Sequence, residues 1–471
     1  MGFIPFFPPH QPMIGHSRAR IRGCRHLLLW KVSRGAIPSS ATFRGVLPVL
    51  TIWGNRQRFC DGVSRRNFLQ IGAFGAGLSL AGLLKAQQSS GSSPKAAIMI
   101  YLPGGPSHLD MYDLKPEAPK EYKGEFHPIK TNVPGIEICE LFPRQAKMMD
   151  KLAILRSIVS VDEHSDSLVM TGYPERVNMT ANHPSFGAVM SKLRGETGGN
   201  DIPPFVSLRG MSRGTEPGFL GIAHRPFTPD GPGLRNLKLA SGVDGSRLDD
   251  RKALLASFDT IRREIDASGT MQGSDAFVGR AFEMVTSGAV SKALDLSRED
   301  PRTRDRYKGV EQFLRARRLI EAGVGCVTLS IGGWDTHSGN FKTLRKQLPE
   351  VDRAVSALIQ DLCDRGLDKD VVTIMWGEFG RTPRINNSDG GRDHWAPVMS
   401  ALVAGGGLKM GQVIGSSSAR GEYPKDRKVT VSQVLSTLYR AMGIDPARTF
   451  PNGTGRPIHI LDDREPIKEL L

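Results

Sequence analysis

Residues 310–337 read VEQFLRARRLIEAGVGCVTLSIGGWDTH, and this stretch decides the fold. In its first part, residues 310–322, apolar side chains recur at helical spacing and Gly323 follows as a stop signal, which predicts an amphipathic helix. The apolar run at 327–331 predicts a buried strand. The polar cluster Gly333-Trp334-Asp335-Thr336-His337 comes directly after that strand. A carboxylate and an imidazole therefore stand where α/β sheets form ligand sites, at the carboxyl end of a strand.

The same alternation of strands and helices continues on both sides of this stretch. Further strands are predicted at 96–102, 152–156, 206–208, 371–376 and 397–403, and further helices at 341–364 and 430–442. Because strands that alternate with helices form a sheet covered on both faces, we expect a doubly wound, mainly parallel α/β sheet over residues 95–471. Residues 210–305, rich in Gly, Pro, Arg and Asp, predict a helical and loop insertion, with helices near 251–265 and 275–286.

The amino-terminal part of the chain differs from the rest in charge. Residues 1–86 contain twelve Lys and Arg and one acidic residue, Asp61, so that +11 of the net charge of +15 lies there. The remaining +4 includes no long basic run, which argues against binding to nucleic acid. Ser64-Arg65-Arg66-Asn67-Phe68-Leu69 and the apolar stretch 71–84 predict a twin-arginine signal within residues 49–86. These fourteen apolar positions are too few for a membrane span, which takes about 20 residues.

This signal predicts a destination for the protein. We expect export through the twin-arginine translocase to the periplasm or the cell exterior, with no stable membrane span in the mature chain. Residues 87–94, QQSSGSSP, predict a flexible Ser/Gly linker. Residues 1–48 are rich in Pro and Arg and have no periodicity. They are predicted to be a non-native or disordered extension, with synthesis starting near Val49.

Polar clusters at the ends of the predicted strands contain residue types that bind divalent metal ions. They are Asp335 and His337 after the strand at 327–331, Glu378 and Arg381 after the strand at 371–376, and Asp393 and His394 before the strand at 397–403. The sequence therefore predicts a divalent metal site, with zinc, calcium and magnesium all open. A hydrogen-bonded network of polar loops is the alternative interpretation.

Two further clusters contain candidate functional groups. Gly104-Gly105-Pro106-Ser107-His108-Leu109-Asp110 follows the predicted first strand. Its glycines allow close backbone approach, and its imidazole and carboxylate are further candidate ligands. His164 and Ser165 precede a predicted short helix and form a candidate nucleophile region, although serine is also a common helix N-cap. Arg381 is a candidate anion clamp, or else the ion-pair partner of a nearby aspartate.

The motifs together resemble a bacterial family, catalogued as domain of unknown function 1501, over roughly residues 56–465. The resemblance rests on the twin-arginine start and on Gly104-Gly105-Pro106-Ser107-His108-Leu109-Asp110, Gly333-Trp334-Asp335-Thr336-His337, Gly377-Glu378-Phe379-Gly380-Arg381-Thr382-Pro383 and Gly391-Arg392-Asp393-His394-Trp395. That family is in turn similar to the alkaline phosphatase and sulfatase superfamily. The resemblance implies a doubly wound α/β fold with metal ions at the strand ends.

The superfamily pattern implies roles for particular residues. In that pattern an Asp and a His follow one strand, an Asp-His pair ends the next, and a His precedes the strand after that. Asp335 and His337 resemble the first pair, Glu378 the aspartate of the second, and His394 the last histidine.

Two positions depart from that pattern. Phe379 stands where the second pair would have its histidine, so a second metal site is in question. Asp162 stands at the position of the superfamily nucleophile, and this residue is not a Ser, Thr or Cys. No Cys/Ser-x-Pro-x-Arg sequence occurs, so a modified-cysteine sulfatase mechanism is not supported.

The leading hypothesis is an exported metal-dependent hydrolase of sulfate or phosphate esters, acting on a small-molecule or polysaccharide substrate. Its expected metal ligands are Asp335, His337, Glu378 and His394, with His108, Asp110 and Asp393 as further candidates. Arg381 would hold the anion, and Ser165 beside His164, or a metal-bound water, would attack. The alternative is a non-catalytic exported binding protein that keeps the fold.

Overall fold

The computed structural model describes residues 95–195, 202–208, 214, 216–229 and 288–471. The strands, numbered along this described part, are β1 (Ala96–Tyr101), β2 (Pro128–Lys130), β3 (Glu137–Cys139), β4 (Leu152–Val159), β5 (Phe205–Ser207), β6 (Cys326–Ser330), β7 (Val371–Trp376), β8 (Gly380–Arg381), β9 (His394–Trp395), β10 (Met399–Gly405), β11 (Gln412–Ile414), β12 (Ser416–Ser417), β13 (Pro424–Asp426), β14 (Val429–Thr430), β15 (Thr449–Pro451) and β16 (Pro457–His459).

The α-helices of the same residues are α1 (His108–Met111), α2 (Lys120–Lys123), α3 (Pro143–Ala146), α4 (Ser167–Thr171), α5 (Glu175–Ala181), α6 (Phe186–Gly195), α7 (Ala289–Leu294), α8 (Pro301–Arg306), α9 (Glu311–Glu321), α10 (Asn340–Asp364) and α11 (Val431–Ala441). Short 3₁₀ turns lie at Met149–Lys151, Gly218–Leu220, Ile222–His224, Leu296–Arg298 and Lys468–Leu470. None of these helices is long and apolar enough to cross a membrane.

The main sheet contains eight strands in the order β11-β4-β10-β7-β1-β6-β5, with β14 paired to β4. Neighbouring strands are parallel, except that β10 is antiparallel to both β4 and β7. Strand β10 differs because the chain between β7 and β10 contains the β8–β9 hairpin and lacks the crossover helix that a parallel neighbour requires. The predicted mainly parallel α/β sheet is confirmed.

Helices cover both faces of this sheet. All six residues of β1 are apolar and buried, as expected for a central parallel strand. Because successive side chains point to opposite faces, Ile98 and Ile100 pack in the core that contains α9 and α10. Ala97 and Met99 pack in the core that contains α6 and α11. The sheet is therefore doubly wound, as the sequence predicts.

Local signals in the sequence explain where helix α11 begins. The Thr430 side chain accepts a hydrogen bond from the Gln433 N–H, and the Gln433 side chain bonds back to the Thr430 N–H. This reciprocal capping box satisfies two backbone donors that the first helical turn leaves without partners. The helix therefore starts within one residue of its predicted first position.

Several sequence predictions fall outside the described residues. They concern the N-terminal extension, the twin-arginine signal, most of the linker and the helices near 251–265 and 275–286. The described part of the region 210–305 contains short helical segments such as Ile222–His224 and Ala289–Leu294. The insertion and the domain boundaries remain predictions.

The topology brings four loop segments to one edge of the sheet. The carboxyl ends of β1, β6 and β7 lie side by side, since Tyr101 pairs with both Ser330 and Trp376. The carboxyl end of β4 joins them next to the amino end of β10, because Ile158 pairs with Met399 in an antiparallel register. Segments that follow β4, β6 and β7, and the segment that precedes β10, therefore meet at this edge.

Candidate metal centre

Three imidazoles turn toward the carboxylate of Asp335, which follows β6. The Nε2 atom of His337 lies 3.0 Å from Asp335 Oδ1, and that of His394 lies 3.3 Å from the same oxygen. The Nε2 atom of His164 lies 3.4 Å from Asp335 Oδ2. We call these four residues the Asp335 cluster. They come from three segments that the sheet brings to one edge.

The other nitrogen of each imidazole faces a second carboxylate. The pairs are His337 Nδ1 with Asp393 Oδ1 at 2.6 Å, His394 Nδ1 with Asp162 Oδ1 at 3.4 Å, and His164 Nδ1 with Glu378 Oε1 at 3.4 Å. An ionised carboxylate only accepts hydrogen bonds, so the hydrogen bond between His337 and Asp393 favours a proton on Nδ1 of His337. In the other two pairs the carboxylate faces Nδ1 at the longer distance of 3.4 Å. The Nε2 atoms are then the nitrogens left to bind a metal, as in carboxylate–histidine–metal arrangements.

The spacing of these atoms fits one metal ion. Ligand atoms of His164, Asp335 and His394 all lie within 4.8 Å of one another. His337 Nε2 lies 3.1 Å from His394 Nε2, on the side of Asp335. An ion with ligand bonds of about 2.0–2.2 Å fits among donors at these separations after small adjustments. Imidazole nitrogens with one carboxylate suit zinc-like ions better than calcium or magnesium, which prefer oxygen ligands.

Arg381 holds the Asp335 carboxylate in place. Its fully buried guanidinium donates through Nη2 to Asp335 Oδ1 at 2.5 Å and to the Gly104 carbonyl. Its Nε donates to the Gly105 carbonyl and its Nη1 to the Arg392 carbonyl, both at 3.0 Å. Arg381 therefore forms an ion pair with a nearby aspartate, which is one of the two roles that the sequence left open for it.

These contacts set the charge state of the cluster. Burial alone would raise the pKa of Asp335, but the hydrogen bond and charge of Arg381 more than offset it and lower this pKa. Burial, followed by the Arg381 charge, lowers the pKa of His394. The hydrogen bond from His337 holds the pKa of Asp393 below its ordinary value. An ionised aspartate beside a neutral imidazole is the protonation state that binds a metal.

Glu378 and Phe379 form the buried base of the cluster. Glu378 is 2% exposed, its Oε1 accepts a hydrogen bond from the Gly104 N–H at 2.7 Å, and the Tyr101 side chain contacts the same carboxyl group. Burial raises the pKa of this carboxyl group. The Phe379 ring lies 4.4 Å from the His394 ring and 5.3 Å from the His164 ring, between centroids. The side chain beneath the imidazoles of His164 and His394 is therefore the apolar ring of Phe379 and not a further metal-binding group.

The structure does not bring His108 and Asp110 into the cluster. Both side chains lie in the short helix α1 and are 1% exposed. The Asp110 carboxylate accepts hydrogen bonds from Arg392 Nε at 2.8 Å and from Asn340 Nδ2 at 2.9 Å. His108 Nε2 donates to the Gly421 carbonyl at 2.9 Å. These contacts tie helix α1 to other loops of the same edge.

In the segment after β4, the imidazole of His164 reaches the Asp335 cluster, whereas the hydroxyl of Ser165 does not. Ser165 is 4% exposed, and its Oγ accepts a hydrogen bond from the Ser167 N–H at 3.2 Å, at the start of α4. His164 is 48% exposed and lies between Asp335 and Glu378. Asp162, which faces His394, was not among the predicted ligands. Its signal was the Asp162-Glu163-His164 sequence after a strand, the pattern that identified the other segments.

Fold and geometry together define a class of protein: a doubly wound α/β protein with a candidate metal centre at the edge where the parallel strands end. The chain belongs to the family described as "Protein of unknown function (DUF1501)", which matches residues 94–471. This confirms the family resemblance of the motifs. No curated protein matches the sequence.

The chain is similar to a number of solved structures at low sequence identity. They include the PsFucS1 sulfatase from Pseudoalteromonas sp. (10% identity, 77% of this chain and 70% of that chain, TM-score 0.33). A protein in the alkaline phosphatase superfamily from Vibrio parahaemolyticus shows 9% identity over 75% of this chain and 67% of that chain, with a TM-score of 0.34.

A third similar structure is the C-terminal periplasmic domain of EcEptC from Escherichia coli in complex with Zn (10% identity, 79% of this chain and 95% of that chain, TM-score 0.34). Identities and TM-scores of this size are low for all three. The fold is therefore defined by the strand pairing of the chain itself, and the candidate centre by its own distances.

Proposed function

We propose that the protein is an exported, metal-dependent hydrolase of phosphate or sulfate esters. One observation carries the proposal: three imidazole Nε2 atoms converge on the Asp335 carboxylate at the edge of the sheet. A divalent ion held there would supply Lewis acidity toward the ester oxygens and would activate water. The expected ligands are Asp335, His164, His337 and His394.

Groups of the chain itself prepare the site for an anionic ester. Arg381 keeps Asp335 ionised and fixed, because its guanidinium also binds three backbone carbonyls. The side chains of His164, Asp335 and His337 are each nearly half exposed, so an ester can approach from solvent. An exposed site of this kind is open to an ester group on a small molecule or on a polysaccharide.

The export part of the proposal rests on the sequence around Arg65 and Arg66. The twin arginines, the following apolar stretch and the linker support transport by the twin-arginine translocase, which carries folded proteins. Replacing both arginines with lysine should leave the precursor in the cytoplasm. Normal export of that double variant would contradict this route.

The test of the hydrolase combines metal analysis with a panel of phosphate and sulfate esters. We expect the purified protein to bind about one divalent ion per chain and to hydrolyse at least one ester of the panel. Asp335→Asn should lose both the ion and the turnover, while Asp426→Asn, a change of an exposed aspartate in β13, should keep both. Absence of a bound ion from the wild-type protein would overturn the proposal.

A non-catalytic exported binding protein is the second candidate. It is favoured by the Ser165 hydroxyl, which is buried against the start of α4, and by the apolar Phe379 ring beneath the imidazoles. Metal binding without turnover of any ester in the panel would support this candidate against the hydrolase.

A further inference from the structure

We infer that Glu378 is a positioning residue: its buried carboxylate orients His164 so that Nε2 of this imidazole points at the metal, and Glu378 is not itself a ligand. This inference rests on the proposed function, because it requires a divalent ion in the Asp335 cluster. It also changes the expectation from the sequence, in which Glu378 was a ligand and His164 a partner of a nucleophile.

His164 needs an external restraint on its orientation. It lies in the loop between β4 and α4, so no helix or strand hydrogen bonds fix its backbone, and its side chain is 48% exposed. Its ring contacts Phe379 and His394 edge to face, with centroids 5.3 Å and 4.4 Å away. These ring contacts limit the ring's position but do not distinguish one nitrogen from the other.

The two carboxylates on either side of the ring make that distinction. Glu378 Oε1 lies 3.4 Å from Nδ1, and Asp335 Oδ2 lies 3.4 Å from Nε2. Glu378 is itself fixed, since the same Oε1 accepts the Gly104 N–H at 2.7 Å. Asp335 is an equally close acceptor, so the distinction arises with an ion bound there. Nε2 then has to be free of its proton, and Glu378 is the fixed acceptor that faces the proton on Nδ1.

Glu378 lies outside the set of atoms that fit an ion. The imidazole of His164 stands between Glu378 and Asp335, with Nδ1 toward Glu378 and Nε2 toward Asp335. The Glu378 side chain is 2% exposed. The Gly104 N–H, at 2.7 Å, holds this carboxylate in place beside the His164 imidazole, which lies 3.4 Å away.

Burial separates Glu378 from the two comparable carboxylates. Asp393 and Asp162, which face His337 and His394, are 51% and 69% exposed. Solvent screens their interaction with the imidazoles. The interaction of Glu378 with His164 is screened much less, because electrostatic interactions strengthen as the effective dielectric falls. Among the three, Glu378 should therefore influence metal binding most.

The experiment measures Zn²⁺ affinity by titration calorimetry and coordination by the visible spectrum of bound Co²⁺. For Glu378→Gln we expect Zn²⁺ affinity to fall about 10- to 100-fold, the usual effect of losing an outer carboxylate. One ion per chain should still bind, and the Co²⁺ spectrum should keep the wild-type band positions. His164→Ala, which removes a proposed ligand, should shift those bands.

Asp352→Asn is the matched control. Asp352 is also a buried carboxylate that accepts backbone N–H bonds, from Arg144 and Gln145 at 3.0 Å and 2.9 Å, but it belongs to helix α10 and caps helix α3. Burial raises its pKa, as it does for Glu378. This variant should change stability without changing Zn²⁺ affinity, which separates positioning from a general effect of losing a buried charge.

The outcomes distinguish this inference from the proposed function. A wild-type protein that binds neither ion overturns both. If the wild-type protein binds zinc and Glu378→Gln binds it with unchanged affinity, the positioning role alone is overturned. A Co²⁺ spectrum of Glu378→Gln that shifts as in His164→Ala also overturns it, because Glu378 would then be a ligand. If Glu378→Gln does not fold, Glu378→Asp gives the same readouts, with an affinity expected between wild type and a 100-fold loss.

Discussion

Arg392 and Asp110 form an ion pair inside the protein, with Nε 2.8 Å from Oδ2 and side chains 0% and 1% exposed. Arg392 also donates to the carbonyls of Thr382, Pro383 and Tyr122. The pair therefore joins the turn after β1 to the loops around the β8–β9 hairpin. A buried charge that has lost its partner strongly destabilises the folded state, so removing either member of this pair should lower the free energy of unfolding.

Asp110→Asn should lower the free energy of unfolding by about 3 kcal/mol or more, because it leaves Arg392 charged and buried without a counter-ion. Urea unfolding of the metal-free protein measures the change. Glu125→Gln is the control, since the Glu125–Arg345 pair is similarly short, at 2.6 Å, but half exposed. That control should cost less than about 1 kcal/mol. Equal losses in the two variants would contradict the argument.

The same variant tests whether Asp110 belongs to the metal centre. Its carboxylate is occupied by Arg392 and Asn340, so Asp110→Asn should keep about one Zn²⁺ per chain under folding conditions. A folded Asp110→Asn protein that no longer binds zinc would make Asp110 a ligand after all.

His108 should make stability depend on pH. Burial is the main cause that lowers its pKa in the folded protein, while the unfolded chain has the ordinary value of about 6.5. A lowered folded-state pKa means that the neutral imidazole stabilises the fold fully above pH 6.5. This contribution is lost as the pH falls from there toward the folded-state pKa, at up to about 1.4 kcal/mol per pH unit.

The measurement is the unfolding free energy between pH 7.5 and 5.5, with a chelator present. His108→Gln keeps a donor for the Gly421 carbonyl but does not titrate, so its stability should fall less over this range than that of wild type. His127→Gln, a change of an exposed histidine, should follow the wild-type slope. A His108→Gln protein with the wild-type slope would remove His108 as the cause.

Gly391→Ala should disturb the cluster through the backbone. A Cβ atom at Gly391 would lie 1.9 Å from the His337 carbonyl oxygen, so the two segments would have to separate. We expect a loss of about 2 kcal/mol or more, within the range for overpacking, and weaker Zn²⁺ binding because His337 moves. Gly453→Ala is the control, since nothing lies within 4 Å of its Cβ position. Neither glycine has a positive φ, so neither substitution strains the backbone conformation. A similar loss of stability in both variants would therefore rule out the clash as its cause.

Zinc should stabilise the folded protein and not the unfolded chain. The ligands lie in segments as far apart as His164 and His394, so only the folded sheet assembles them. At a zinc concentration 100 times the Kd, the stabilisation should be about 2.7 kcal/mol. Thermal unfolding with zinc and with chelator measures it, and Asp335→Asn should remove the difference. A stabilisation that persists in Asp335→Asn would place the zinc elsewhere.

The sequence predicted the core of the fold well because its strongest patterns coincide with burial. The continuous apolar runs became β1, β6 and β7, and the amphipathic run of residues 341–364 became α10 almost to the residue. The antiparallel direction of β10 was not predicted. Its apolar run looks the same in either direction, and direction is set by the short β8–β9 connection, which carries no strong signal.

The candidate site was predicted in its location more than in its contacts. Strand ends pointed to Asp335, His337 and His394, and the structure brings these together. Hydrogen-bond partners were beyond the sequence, because Asp110 and Arg392 are 282 positions apart along the chain. In the same way, no local pattern could show that the His164 imidazole lies between Glu378 and Asp335, because this order is set by the packing of the sheet.

The backbone of Gly104 has a consequence for redesigning this protein. Its N–H binds Glu378, its carbonyl binds Arg381, and a Cβ atom there would lie 2.5 Å from the Asp335 nitrogen. An engineer could exchange the imidazoles for other donors and keep the scaffold, since His164 and His337 are nearly half exposed and His394 is partly exposed. A library that also varies position 104 would lose most of its members to misfolding, so the residue with no side chain is the one to hold constant.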